Sequence, residues 1–153
     1  MAKTQTLIKL KAIARDLRKK GKRLVFTNGC FDLLHPGHIK VLKEAKQKGD
    51  ILIVAVNSDS SIKKIKGPSR PILKEKARIK LLEHIDLIDY IIIFKTPTPY
   101  SLIKALKPDV LVKGGDWQKK DIVGSDLVGQ VHRVKLSPRH STTAIIKIIK
   151  ERS

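Results

Sequence analysis

The sequence holds a single cysteine, Cys30, so no disulfide can close within it, and a reducing compartment is expected. It has no apolar run long enough to cross a membrane. The first residues, Met1-Ala-Lys-Thr-Gln-Thr, carry no apolar signal core, which makes a cytoplasmic location the expectation. Acidic side chains are scarce: 14 Asp and Glu stand against 33 Lys and Arg, a formal net charge of +19. Such an excess suits nucleic acid, a phosphorylated substrate or a general compositional bias. No zinc-finger spacing, RNP sequence or basic zipper is present, and the basic residues form no long block. A specific nucleic-acid partner is therefore not expected, and neither is a membrane. No repeat, linker or low-complexity tract divides the 153 residues. One domain over 1–153 is expected, with 1–21 as an N-terminal helical extension.

What is present alternates between two periods. Residues 6–20 place apolar side chains at Leu7, Ile8, Leu10, Ile13, Ala14 and Leu17, the spacing of an amphipathic helix, and Gly21 ends it. Apolar runs at 23–27, 50–57, 90–94 and 109–113, with the segment 131–136, read as five strands. The run at 50–57 is unbroken, as in a central parallel strand buried on both faces. Helical patterns follow at 39–49, 74–85, 100–107 and 142–151, and the polar stretch 118–130 predicts short helical pieces. Residues 63–72 are basic and irregular, and predict either a mobile loop that grips phosphate or a merely solvated one. The alternation predicts a three-layer α/β fold with a mostly parallel, five-stranded sheet. Loops at 28–38, 57–61, 113–117 and 137–143 then share one edge, where such sheets bind ligands.

The densest chemistry lies in Thr27-Asn-Gly-Cys-Phe-Asp-Leu-Leu-His-Pro-Gly-His38, between a strand and a helix. Gly29 lets the backbone approach a ligand. Pro36 suits the first turn of a helix, whose free N–H groups favour an anion. His35 and His38 are three apart and share a face if that turn is helical. Gly37 between them leaves room for a phosphate. Two imidazole donors beside such a helix end suggest phosphoryl chemistry. No third ligand has the spacing of a metal site, so no protein-held metal is expected. Asp32 either contacts the ligand or fixes the turn through backbone N–H groups. Trp117 either stacks on a ligand or packs in the core. Cys30 reads as a small filler, not a nucleophile.

His35-Pro-Gly-His38 after Asn28-Gly-Cys-Phe-Asp32 resembles the HxGH signature of the nucleotidyltransferase superfamily, which has a Rossmann-like fold. The chain is most similar to the branch that adenylylates D-glycero-β-D-manno-heptose 1-phosphate. The resemblance also rests on Val54-Ala-Val-Asn-Ser-Asp, Lys66-Gly-Pro-Ser-Arg-Pro, Asp109-Val-Leu-Val-Lys-Gly-Gly-Asp-Trp and Ser141-Thr-Thr. In many relatives this domain is fused to a sugar kinase, so a stand-alone transferase is implied here.

That resemblance implies a reaction in which a sugar 1-phosphate attacks the α-phosphorus of ATP and expels pyrophosphate. The product would be ADP-heptose for the lipopolysaccharide core. His35 and His38 would donate to phosphate oxygens, and Lys46 (or Lys43) and Arg78 would neutralise charge. Thr27, Asn28, Gly29, Cys30, Phe31, Asp32, Gly37, Lys113, Gly115 and Asp116 would bind the nucleotide. Ser141, Thr142 and Thr143 resemble a second phosphate clamp. Arg139 precedes that clamp at a spacing unlike the family's, and His140 stands where a small residue is expected. Asn57, Asp59, Arg70 and Trp117 would meet the substrate. Mg²⁺ would come with ATP, and a homodimer is implied. A related enzyme class uses CTP and glycerol 3-phosphate with the same signature; Asn28-Gly-Cys and Lys113-Gly-Gly favour the heptose branch.

Overall fold

A computed structural model describes residues 1–153. The strands are β1 (Lys3–Thr4), β2 (Leu24–Gly29), β3 (Ile51–Asn57), β4 (Tyr90–Phe94), β5 (Val110–Gly114) and β6 (Gln130–Val134). The helices are α1 (Leu7–Lys19), α2 (Pro36–Lys46), α3 (Asp59–Lys66), α4 (Glu75–Glu83), α5 (Tyr100–Leu106) and α6 (Thr142–Arg152). Two 3-10 turns, Lys119–Asp121 and Ser125–Leu127, stand where short helical pieces were expected.

The sheet runs β1-β4-β3-β2-β5-β6, and every pairing is parallel. It has six strands where five were expected. The extra strand is β1, which pairs Lys3 with Tyr90 and Thr4 with Ile91. Its side chains are polar and exposed, so the pairing rests on backbone bonds such as Gln5 N–H to Ile91 O at 2.9 Å. Lys3 and Thr4 thus join the sheet ahead of helix α1, which accounts for most of the expected helical segment.

Side chains alternate across the central strands and feed two cores. Val25, Leu52, Val54 and Val112 pack with Val41, Leu42 and Ala45 of α2 and Leu82 of α4. Phe26, Ile53, Ala55 and Leu111 pack with Leu10 of α1 and Leu102, Ile103 and Leu106 of α5. The result is helix, sheet, helix: the three layers expected.

The amino ends of the strands are closed by three aspartates. At the amino ends, Asp50 accepts the Arg23 N–H, Asp89 the Leu52 N–H and Asp109 the Leu24 N–H, each at 2.7 Å. These carboxylates satisfy donors that have no ladder partner. Lys46 lies at this same end, where its ammonium donates to Asp50 O and pairs with Asp89. A catalytic Lys46 is therefore a misreading. It is the last residue of α2, and the helix carries it to the edge opposite the histidines. Lys43 is exposed on the same helix and does not line the cavity that holds the histidines.

Candidate active site

At the carboxyl ends of β2, β3 and β5 the loops enclose a cavity of about 570 Å³. The β2 turn supplies Thr27, Asn28, Gly29, Cys30, Phe31, Asp32, His35, Gly37 and His38 to its wall. Asn57 and Arg70 enter from the β3 side, and Lys113 and Trp117 from β5. Ser141, Thr142 and Thr143 enter from the start of α6. Segments far apart in sequence meet because all strands run the same way.

His35 is the N-cap of α2, with extended backbone (φ −144°, ψ 167°). Its Nδ1 accepts the Gly37 N–H at 3.1 Å. A backbone N–H can only donate, so Nδ1 carries the lone pair and the neutral ring keeps its proton on Nε2. His38 stacks on His35 with ring centroids 3.8 Å apart and tilts against Phe31 at 5.1 Å. Its Nδ1 is buried without a partner, which leaves Nε2 to meet a ligand. Gly37 is explained differently from the expectation. A Cβ there would lie 2.9 Å from the His35 ring and 3.0 Å from the His140 carbonyl. The space is filled by the protein and not reserved for a phosphate.

Both rings are neutral at pH 7. Burial pushes His38 down to about 4, helped by His35 and Lys66 and opposed by Asp32. Burial, then His140, lowers His35. The expected result in a histidine-resolved NMR titration of the free protein is a His38 midpoint near 4 and not near 6.5. Stability changes with pH in the matching sense. Below 6.5 the unfolded chain takes up this proton while the folded chain refuses it. The His38 contribution to stability is thus intact above 6.5 and falls away as the pH drops towards about 4.

The turn itself is held under strain. Phe31 adopts a left-handed backbone (φ 48°), unusual for an aromatic residue, yet is only 3% exposed. The bend leads into Asp32, which is buried and accepts from Ile72 N–H at 2.9 Å, Leu73 N–H at 2.8 Å and Arg70 Nε at 2.9 Å. Burial alone would raise its pKa, but the Leu73 and Ile72 N–H groups and Arg70 outweigh that and keep it ionised. Of the two roles open to Asp32, fixing the turn is the one observed. The irregular basic loop is also smaller than expected. Helix α3 takes up 59–66, capped by Ser58, and the rest is pinned to Asp32.

Arg78 is buried and turned away from the cavity. It donates to Cys30 O at 2.6 Å, Asn57 O at 2.8 Å, Leu73 O at 3.1 Å and Asp59 Oδ1 at 2.9 Å. A role in direct charge neutralisation is thus replaced by bracing of three loops. Asp59 is spent on the same bond, so substrate contact is corrected for it too. Gly115 and Asp116 lie off the cavity wall; Gly114 and Trp117 on either side line it. Trp117 is 47% exposed and donates to Gly114 O, so core packing is ruled out for it. Arg139 is exposed and does not reach the cavity, whereas His140 does.

Cations gather around Cys30 from both sides of the β2 turn. Burial raises the Cys30 thiol, while Lys66, Arg78, Lys113 and Arg70 pull it back. Burial lowers Lys113, and Cys30 and Lys66 act on it in opposite senses. Helix α6 is capped by Ser141, which accepts the Ala144 N–H at 3.0 Å. Its start is tied to the β2 turn by Thr142 Oγ1 donating to Leu33 O at 3.5 Å. The N-termini of α2 and α6 therefore converge beside the histidines, as an anion requires. Sequence reasoning missed Pro97, Thr98 and Pro99 after β4, and Asp121, Ile122 and Val123 after β5, which close the remaining wall. The apolar Ile122-Val123 pair within a polar stretch was the only available signal.

Residues 26–148 match the family model described as Cytidylyltransferase-like. Similar proteins include Bifunctional protein HldE of a Nitratiruptor species, 51% identical over 95% of this chain and 32% of that protein. Bifunctional protein HldE of Aliarcobacter butzleri is 49% identical over 96% of this chain and 31% of its own length. The chain thus spans about a third of the length of the curated relatives it matches. A crystal structure of the lipopolysaccharide core biosynthesis protein from Thermoplasma volcanium GSS1 is 31% identical, with a TM-score of 0.61, over 76% of this chain and 98% of that one. Pantoate-beta-alanine ligase from Francisella tularensis shares the fold alone, at 16% identity and a TM-score of 0.65 over 90% of this chain and 69% of that one. With the signature turn, the converging helix ends and a family match over most of its length, the chain belongs to the cytidylyltransferase-like family and is a nucleotidyltransferase.

Proposed function

We propose that this chain transfers AMP from ATP to D-glycero-β-D-manno-heptose 1-phosphate in the cytoplasm, giving ADP-heptose and pyrophosphate. The observation that carries the reading is the pair of stacked, neutral imidazoles set beside two helix N-termini. The likeness to proteins named HldE, and to one titled a lipopolysaccharide core biosynthesis protein, supports the sugar.

The chemistry is an in-line displacement. A phosphate oxygen of the acceptor forms a bond to the α-phosphorus as the bond to the bridging oxygen of pyrophosphate breaks. The dianionic acceptor has no proton to lose, so no general base is needed. Catalysis is then positioning and charge stabilisation. His35 Nε2–H and His38 Nε2–H donate to the phosphate oxygens as charge builds on them. The free N–H groups at the starts of α2 and α6 hold the triphosphate.

Mg²⁺ suits this donor set only as a passenger of the nucleotide. No group of three or more His, Cys, Asp or Glu side chains could hold a metal, and Asp32 is spent on Arg70 and two N–H groups. Held by phosphate oxygens, the ion would offset the charge of the leaving pyrophosphate.

A nucleotide panel tests the reading. Pyrophosphate release is expected with ATP and heptose 1-phosphate, and not with CTP and glycerol 3-phosphate. Turnover with CTP but not ATP would overturn the choice of base.

A further inference from the structure

The sheet order divides the cavity into two halves. Loops following β5 and β6 lie on one side of the β2 turn, and those following β3 on the other. Ser141 to Thr143 at the start of α6 occupy the first half, and the start of α2 stands between the two. The second half holds Arg70 in an unusual state. Its side chain is 11% exposed and lines the cavity, and Nε is locked onto Asp32 at 2.9 Å. The terminal nitrogens donate to no protein acceptor, and Nη2 is buried. A buried guanidinium N–H without an acceptor is costly unless something else brings one.

We propose that Arg70 holds the phosphate of the acceptor, and that Asp32 is the positioning residue that keeps its guanidinium fork at the cavity wall. This rests on the nucleotidyl-transfer reading above. In-line attack requires the acceptor and the departing pyrophosphate to lie on opposite sides of the α-phosphorus. With the triphosphate drawn to the start of α6 and the histidines of α2 at the α-phosphorus, the acceptor phosphate falls on the β3 side, where Arg70 waits. A planar fork suits a phosphate that must present one oxygen in a fixed direction. Asp32 has a second link to the same wall, since it also accepts the Ile72 and Leu73 N–H groups. It thus fixes the Arg70 segment relative to the histidines, which follow Asp32 closely in the same turn.

The test compares Arg70→Gln, Arg70→Lys and Asp32→Asn with the parent chain. Steady-state kinetics would be run with whichever nucleotide and phosphomonoester turn over. For Arg70→Gln, KM for the acceptor should rise roughly 10- to 100-fold, the worth of one charge-assisted contact, while KM for the nucleotide stays put. Arg70→Lys should recover only part of this, because an ammonium cannot bridge Asp32 and a phosphate as the fork does. Asp32→Asn should raise the acceptor KM in the same sense. A purely structural Asp32 would instead shift both KM values alike and lower kcat. An unchanged acceptor KM in Arg70→Gln, or a rise confined to the nucleotide, would overturn the proposal while leaving the transferase reading intact. The second measurement needs no turnover. Inorganic phosphate is titrated into protein saturated with a non-hydrolysable ATP analogue, following the Arg70 Nε–H resonance and, for the variant, bound phosphate by calorimetry. Affinity at least roughly tenfold weaker in Arg70→Gln supports the proposal; equal affinity sinks it.

Discussion

Replacing His38 with alanine should lower turnover by roughly 100- to 1,000-fold, the usual loss when one preorganised donor to a developing charge is removed. The fold should survive the change. The His38 side chain makes no hydrogen bond within the protein, and its Nδ1 is buried without a partner, so its removal leaves no acceptor or donor stranded. His35→Ala serves as the contrast. That ring also caps α2 through the Gly37 N–H, and losing a cap costs about 1 kcal/mol of stability. The two variants should therefore separate in thermal unfolding while both lose activity. Pyrophosphate release by a folded His38→Ala protein at the parent rate would remove the proposed role of the imidazole. An asparagine at 38 retains an N–H donor and should fall between the two.

Arg78→Met should have the largest effect on stability. The guanidinium is fully buried, and its removal strands the carbonyls of Cys30, Asn57 and Leu73 together with the Asp59 carboxylate. Breaking such a buried cluster from one side costs about 3–5 kcal/mol. For a chain of this size that corresponds to a fall in Tm of roughly 10 °C. Denaturant unfolding and thermal melts measure both numbers. Activity should fall as well, because Cys30 O and Asn57 O belong to the neighbouring loops after β2 and β3 that form one wall of the cavity. Lys46→Met is the control. Its partly exposed pair with Asp89 contributes no more than about 1 kcal/mol, and turnover should be unchanged. A stable Arg78→Met protein would show that the loops do not depend on this brace.

These two cations also mark what the sequence could and could not reveal. Strands β2 to β5 were legible because parallel strands buried on both faces read as continuous apolar runs, whereas the edge strand β6 showed only as Val131 and Val134 among polar residues. The histidine turn was legible because Pro36, Gly37 and the flanking imidazoles fix both its geometry and its chemistry. The full shift that keeps the imidazoles uncharged was not, since part of it comes from the charges of Lys66 and His140, which reach the rings from other loops. Lys46 and Arg78 offered charge without direction. An 11-residue helix is about 16 Å long, so a residue at its last turn stands far from one at its first. That arithmetic was available for Lys46 and argues against it. Nothing comparable was available for Arg78, whose inward turn follows from three carbonyl acceptors supplied by separate loops. Strand β1 was invisible for another reason. Two polar residues that pair only through their backbone leave no trace in hydrophobic periodicity.

The carboxylates of Asp50, Asp89 and Asp109 gather at one rim of the sheet, and the lysines and arginines of the cavity at the other. At the acidic rim Lys22 and Lys46 sit beside Asp50 and Asp89 and offset their charge, whereas no carboxylate pairs with Lys66 or Lys113 at the cavity. A polyanion diffusing nearby therefore meets uncompensated positive charge at the cavity mouth. In a chain with so few acids, where they stand governs the encounter as much as how few they are.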